Sequence, residues 1–349
     1  VPGSATERGE DAVRAAFAEQ SGWCEKLGSP FTARLCAVLG ATLDRSTETG
    51  RRALAWSGDP SSSADALPLR LCGGLHALVR SGSVPELAAL YPPHPLPDER
   101  RLAATLRPVL GREDLPAWLD LPPQTNEVGR SAVLFAGLLV ATAALRRPLH
   151  LLELGASAGL NLILDRYGYD LGGLRTGNPD SRLQLRPAWK GDSPPRAPVR
   201  IAARRGVDLN PPSDPRRLLA YVWPDQGARL AGAETAIRLL EQDRPPVDRG
   251  EAAEWIGMQL ALPGPQGAAR LIMHSVAYQY FAPDAQARVT AAIEAAGERE
   301  PLGWLRMEKE PEEERFSLRL RLWPGGGDRL LAWTHPHGRE ISWLDAPAH

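Results

Sequence analysis

The chain has 349 residues, of which 43% are hydrophobic and 24% charged, with a net charge of −1 at pH 7. This is a globular composition with room for one large or two medium cores, and no broad basic surface marks it for nucleic acid or an anionic membrane. Its three cysteines, Cys24, Cys36 and Cys72, show no C-x-x-C spacing. They read as reduced core thiols, not as a disulfide framework or a zinc site.

The first twenty residues carry acids and arginines throughout and lack the apolar stretch of a secretory leader. Helical spacing follows at Phe31, Leu35, Val38, Leu39 and Leu43, and again at Leu67, Leu71, Leu75, Leu78 and Val79. Ser83-Val84-Pro85-Glu86 predicts a capping box, and proline- and serine-rich breaks at Asp59–Ser63, Pro92–Pro97 and Pro122–Pro123 separate the helices. The longest apolar run, Ser131–Leu145, is flanked by Arg130 and Arg146. It falls short of the ~20 residues of a membrane span, so it reads as a buried helix of a soluble, cytoplasmic protein.

From residue 149 the pattern alternates. Leu149–Glu153 predicts a strand and Gly159–Tyr167 a helix, and residues 168–198 predict an irregular insertion rich in Gly, Pro, Asp and Arg. A strand ending near Asp208 comes next, then helices over Pro215–Val222, Gly227–Leu240 and Gly250–Leu260. Arg270–His274 predicts a buried strand, Asp284–Ala296 a helix stopped by Gly297 at C′, and Leu302–Met307 a strand. Phe316–Trp323 and Arg329–Thr334 flank a glycine turn as a hairpin. The expected fold is α/β: a doubly wound, mostly parallel Rossmann-like sheet with a C-terminal antiparallel hairpin, over residues 124–349. A helical N-terminal subdomain over 1–123 precedes it.

Two chemistries overlap in LLELGASAGLNLILDRY, Leu151–Tyr167. Gly155-Ala156-Ser157-Ala158-Gly159 is G-x-S-x-G, the nucleophile turn of a serine hydrolase, with Asp284 and His335 or His337 following in suitable order. It is also a glycine turn after a strand that ends on an acid, as in a nucleotide-binding loop. Leu149–Glu153 reads as the first strand of its sheet, where a cofactor loop belongs. Glu153 can accept from ligand hydroxyls or an amine, and the amides that open the next helix can receive an anion.

The run ELGASAGLNL resembles motif I of class I S-adenosylmethionine (SAM)-dependent methyltransferases. Val207-Asp208-Leu209-Asn210-Pro211, Pro246-Val247-Asp248 and Met273–Phe281 are similar to later stations of that fold. The resemblance implies a site holding SAM through Glu153, Gly155, Ser157, Gly159, Asp208 and Asp248, with Asp208 on the ribose and Asp248 on the adenine amine. Asp170 is the alternative ribose acid should the insertion not loop out. The combination of QTNEVGR (124–130), ELGASAGLNL, YVWPDQ, HSVAYQY and THPHG resembles a bacterial family known as a domain of unknown function.

Several side chains carry two readings. Asn126, Glu127 and Arg130 either cap a helix or wall the cofactor site, where Arg130 pairs with a cofactor carboxylate. His274 is a satisfied core histidine or a base beside Tyr278. Asp225 is part of a turn or faces the cleft. Glu308–Arg315 reads as a solvated loop, and His335-Pro336-His337 does not read as a metal site. The expectation is methyl transfer from SAM to a small molecule, with no nucleic acid or membrane partner and the oligomeric state left open. A binding protein of the same fold without catalysis and a hydrolase using Ser157 remain as alternatives.

Overall fold

The structure, a computed structural model, describes residues 5–313 and 315–344; Glu314 of the Glu308–Arg315 run lies outside them. The chain divides into two units. One comprises the chain up to Thr125 together with Arg216–Ala231, and the other comprises Asn126–Pro215 and the chain from Gly232 onward.

The first unit is helical. Its helices are α1 (Ala5–Lys26), α2 (Pro30–Thr42), α3 (Glu48–Leu54), α4 (Leu67–Arg80), α5 (Pro85–Ala88) and α6 (Glu99–Leu110), followed by a 3-10 turn at Pro116–Asp120. The apolar positions read from the sequence meet in one core, with Phe31, Leu35, Leu39, Leu71, Leu75, Leu102 and Leu106 all buried. The expected capping box at Ser83 does not form. Pro85 opens α5, Val84 precedes it without a side-chain cap, and the Ser83 hydroxyl instead meets that of Ser81 at 2.7 Å. Proline supplies the helical φ and has no amide to cap, so the start shifts past the serine. The 3-10 turn at Pro215–Tyr221 brings Tyr221 into this core, where its ring meets Trp118 edge-on at 6.0 Å.

In the second unit, α7 (Arg130–Leu145) leads to β1 (Leu149–Leu154). Then come β2 (Gly168–Leu171), β3 (Leu174–Gly177), β4 (Gln184–Leu185), β5 (Ala188–Lys190) and β6 (Ile201–Asp208). The chain continues through α8 (Gly227–Leu240), within which the unit boundary falls, β7 (Val247–Arg249), α9 (Ala252–Ala261), β8 (Ala269–Ser275) and α10 (Pro283–Gly297). It closes with β9 (Leu302–Lys309), β10 (Phe316–Trp323), β11 (Asp328–Thr334) and β12 (Glu340–Trp343).

A nine-stranded sheet runs in the order β5-β12-β11-β10-β9-β8-β1-β6-β7. β7, β6, β1, β8 and β9 run parallel to one another, and β9 to β12 form an antiparallel meander. The fold is therefore α/β, with a mostly parallel sheet and antiparallel C-terminal strands. The apolar sequences of β1 and β8 are buried nearly throughout, as strands covered on both faces must be. No strand precedes Leu149 among the described residues. α7 is apolar all round and buried along most of its length. No helix among the described residues is long and apolar enough to cross a membrane.

Three sequence expectations need correction. The insertion at 168–198 is not irregular: it builds a three-stranded sheet, β3-β2-β4, and sends β5 to the edge of the large sheet beside β12. Tyr169 of β2 stacks on Phe135 of α7 at 4.3 Å, so the insertion buries an apolar face despite its polar composition. Gly159–Tyr167 contains only a 3-10 turn, Asn161–Arg166, distorted at Ile163. There the Tyr167 hydroxyl donates to the Leu160 carbonyl at 2.8 Å and bends the chain back toward β2. Gly297 is the last residue of α10, and Glu298, not a left-handed glycine, terminates the helix.

Candidate functional site

The carboxyl ends of β1, β6 and β8 gather residues from five of the sequence stretches singled out above. β1 ends in a turn that needs three left-handed residues: Gly155 at φ 71°, Ser157 at φ 52° and Gly159 at φ 87°. Glycine adopts this conformation freely, but serine does so at a cost of about 1 kcal/mol. Val207 holds the turn by accepting from the amides of Gly155 and Ala156, each at 2.9 Å. Asp208 accepts from the Ser157 amide and, with its other oxygen, from that of Asn210, both at 2.9 Å. Asn126 accepts from the Leu160 amide at 2.9 Å.

Around this turn lies a buried polar cluster: Asn126, Glu127, Arg130, Ser131, Glu153 and Asn161. Arg130 donates to the Ser275 carbonyl at the end of β8 and to the Pro336 carbonyl. It thereby ties the start of α7 to the HSVAYQY and THPHG stretches. Ser131 donates to Asn161 at 2.7 Å, and Asn161 in turn bonds Glu153. Glu153 is 1% exposed, and its Oε2 has no hydrogen-bond partner. Burial first, and then the negative charge of Asp208, push its pKa up to about 8, against the opposing effects of Asn161 and Arg130. Glu153 is therefore largely a neutral acid at pH 7. The Ser157 hydroxyl is also buried and unpartnered.

A second group sits where β8 and β9 end. Trp304 Nε1–H donates to His274 Nε2 at 3.1 Å, which leaves the ring proton on Nδ1, and that proton goes to Glu308 Oε1 at 2.7 Å. The same carboxylate oxygen accepts from the amides of Ala277 and Tyr278 at 3.0 and 3.1 Å. Tyr278 stacks on His274 at 5.0 Å, and its hydroxyl is bonded to the Gln286 carbonyl and to Thr290.

Residues 14–343 match the family model described as an uncharacterized protein conserved in bacteria, DUF2332. The chain belongs to this family. No curated protein matches it.

The expected site residues therefore divide. Glu153, Gly155, Ser157, Gly159, Asp208 and Arg130 come together. Asp248 is committed elsewhere: the Arg205 guanidinium grips it at 2.6 and 2.8 Å and Trp255 Nε1 donates to it at 2.7 Å. Arg205 first, with Trp255, holds its carboxyl below the usual range. His274 is fully buried with both ring nitrogens engaged, so it offers no free lone pair for a substrate proton, and the Tyr278 hydroxyl is tied to the Gln286 carbonyl and to Thr290. Five amides of the turn, those of Gly155, Ala156, Ser157, Gly159 and Leu160, donate to protein acceptors and are not open to an anion. Asp170 serves the β2–β3 hairpin, accepting from the Gly173 amide at 3.0 Å. Asp225 belongs to the helical unit, where it accepts from the Phe31 amide at 2.8 Å and from the Ser29 hydroxyl.

Sequence reading missed Glu308, which it left in a solvated run. The residue lies in β9, its side chain 15% exposed. One signal was available: Glu308 continues the strand Leu302–Met307 without a break, whereas Pro311 marks the true start of the loop.

Proposed function

We propose that the carboxyl ends of β1 and β6 bind SAM and serve methyl transfer to a small molecule. The carrying observation is the unpartnered, buried Oε2 of Glu153, beside a glycine turn at the end of the first strand in chain order. β1 lies between β6, which the chain reaches after the 168–198 insertion, and β8, which it reaches after β7. The strand order thus reverses at β1, and open α/β sheets bind ligands at such a reversal.

The residues fit the donor groups of SAM. Glu153 keeps a buried, unpartnered Oε2, which as a neutral carboxyl can donate or accept one hydrogen bond, and Asp208, half-buried, uses one lone pair on each oxygen and keeps others for hydroxyls. They do not fit its carboxylate through the turn amides, nor its adenine through Asp248. When bound, SAM supplies an activated methyl group. The chain's part is to hold Asp208 rigid through two amides, to keep Glu153 out of water, and to fix the start of α7 through Arg130. Alignment of this kind is the main demand of such a transfer.

Ligand binding without turnover is the second reading. It is favoured by the internal pairing of His274 and Tyr278, which leaves the site without its expected base. The hydrolase reading loses its support, because no imidazole meets the Ser157 hydroxyl and no strand precedes β1 among the described residues.

Thermal shift and calorimetry with SAM, S-adenosylhomocysteine and NAD test the proposal. Stabilisation by the first two, lost in Asp208→Ala, supports it. No response to any adenosyl ligand rejects it. Binding without S-adenosylhomocysteine production selects the second reading.

A further inference from the structure

The helical unit holds a group of reactive side chains that the proposed site does not use. Cys24 of α1, Cys36 of α2 and Cys72 of α4 are far apart in sequence, yet all three are buried: Cys36 and Cys72 lie in a core otherwise lined mostly by Leu, Val and Phe, and Cys24 bonds Cys36. The Sγ atoms of Cys36 and Cys72 are 3.6 Å apart. Cys24 hydrogen-bonds Cys36 from another side and itself accepts from Gln20 Nε2 at 3.4 Å. The hydroxyl of Tyr91 is fully buried without a partner. Burial raises its pKa, and Cys72 and Cys36 raise it further. No group of three or more His, Cys, Asp or Glu among the described residues has the geometry of a metal site, so the thiols are not arranged as a metal cage.

We propose that Cys36 and Cys72 form a reversible disulfide that joins α2 to α4. Their sulfurs already touch, so closing the bond takes a side-chain adjustment of about 1.5 Å toward the ~2.05 Å of a disulfide. Cys72 is the entry point: it is 7% exposed, whereas Cys24 and Cys36 are fully covered.

With hydrogen peroxide as oxidant, Cys72 gives up its thiol proton and its sulfur attacks one peroxide oxygen. The O–O bond breaks, hydroxide leaves and takes up the thiol proton as water, and Cys72 becomes a sulfenic acid. The Cys36 sulfur then attacks the Cys72 sulfur. The S–S bond forms, the S–O bond breaks, and the hydroxyl leaves with the Cys36 proton as a second water. The two sulfurs together lose two electrons and the peroxide gains them. A thiol reductant reverses the change by exchange.

The test treats the full chain with hydrogen peroxide, unfolds it, alkylates free thiols and maps the peptides by mass. The expected result is a Cys36 peptide joined to a Cys72 peptide, alkylated Cys24, and recovery of all three thiols with dithiothreitol. Cys24→Ala keeps the cross-link and Cys72→Ala abolishes it. Full alkylation of all three cysteines after peroxide overturns the proposal. So does a link between Cys24 and Cys36, or oxidation only to sulfinic or sulfonic acid. The peptide map of the unmutated protein decides by itself if a variant does not fold.

Discussion

Glu308 receives the Nδ1 proton of His274 at 2.7 Å, and this bond anchors the stretch that leaves β8. The same oxygen takes the amides of Ala277 and Tyr278, so one carboxylate from β9 fixes the strand end and the turn beyond it. Ala277 in turn lies against Gly155: a Cβ added to that glycine would stand 2.5 Å from the Cβ of Ala277. The geometry of the β1 turn and that of the loop after β8 are therefore set together.

Removing the Glu308 carboxylate leaves three donors without an acceptor. Glu308→Ala is expected to lower the unfolding free energy by about 3 kcal/mol, and Glu308→Gln, which keeps an oxygen, by about half as much. Urea denaturation at pH 7 measures both. Unchanged midpoints would show that the loop is held by other means.

The same group gives an acid-side pH dependence. Against a burial effect that raises it, bonding to His274 and the two amides holds the Glu308 carboxyl below its ordinary 4.5. A depressed folded pKa means that the unfolded chain binds the proton more readily. Its stabilisation is complete above about pH 4.5 and fades as the pH falls from there. Glu308→Gln should flatten the stability profile in that acid range, and a profile of the same slope would count against the bond.

Glu153 acts in the opposite sense. Its pKa rises from 4.5 to about 8 on folding, so the folded state holds the proton more tightly. Stability is full below about 4.5 and is lost as the pH climbs toward 8, by on the order of 5 kcal/mol if the whole shift is realised. Glu153→Gln should match the parent at pH 5 and exceed it at pH 9. Parallel curves across that range would show that Glu153 is ionised when folded.

Ser157 combines a left-handed backbone with a buried hydroxyl that bonds nothing. Ser157→Gly relieves both and is expected to stabilise the chain by about 1–2 kcal/mol. A bulkier Ser157→Val should destabilise by at least as much, since a branched side chain tolerates that φ poorly. Thermal unfolding checks the order Gly, Ser, Val. A stabilising valine would contradict the turn geometry.

In the helical unit, Asp225 caps the first turn of α2 through the Phe31 amide. Asp225→Ala should cost about 1–2 kcal/mol, and Asp225→Asn less. Both are read from denaturant midpoints, and equal losses for the two would point to charge rather than capping.

Much of the α/β order was legible because β1, β8 and β9 are apolar runs bounded by breaks, and α7 is apolar on every side. Gly155 and Gly159 announced a turn because few other residues adopt its φ. What stayed hidden was tertiary. The strands at 168–190 are only two to four residues long and polar in part, so they lack a period to read. Glu308 sat among other acids, where nothing local distinguishes a buried carboxylate from a solvated one. The engagement of His274 by Trp304 and Glu308 depends on the pairing of β8 with β9, which no spacing within either strand reveals.

The return of Arg216–Ala231 to the helical unit governs how the protein can be dissected. A fragment stopping at Thr125 would lose the carboxylate that caps α2 and the Tyr221 ring that sits against Trp118. A fragment starting at Asn126 would carry both side chains with nothing for them to fill. No single cut separates the halves intact. Isolating either one requires excising or grafting an internal stretch, and clones made by simple truncation should express poorly at either end.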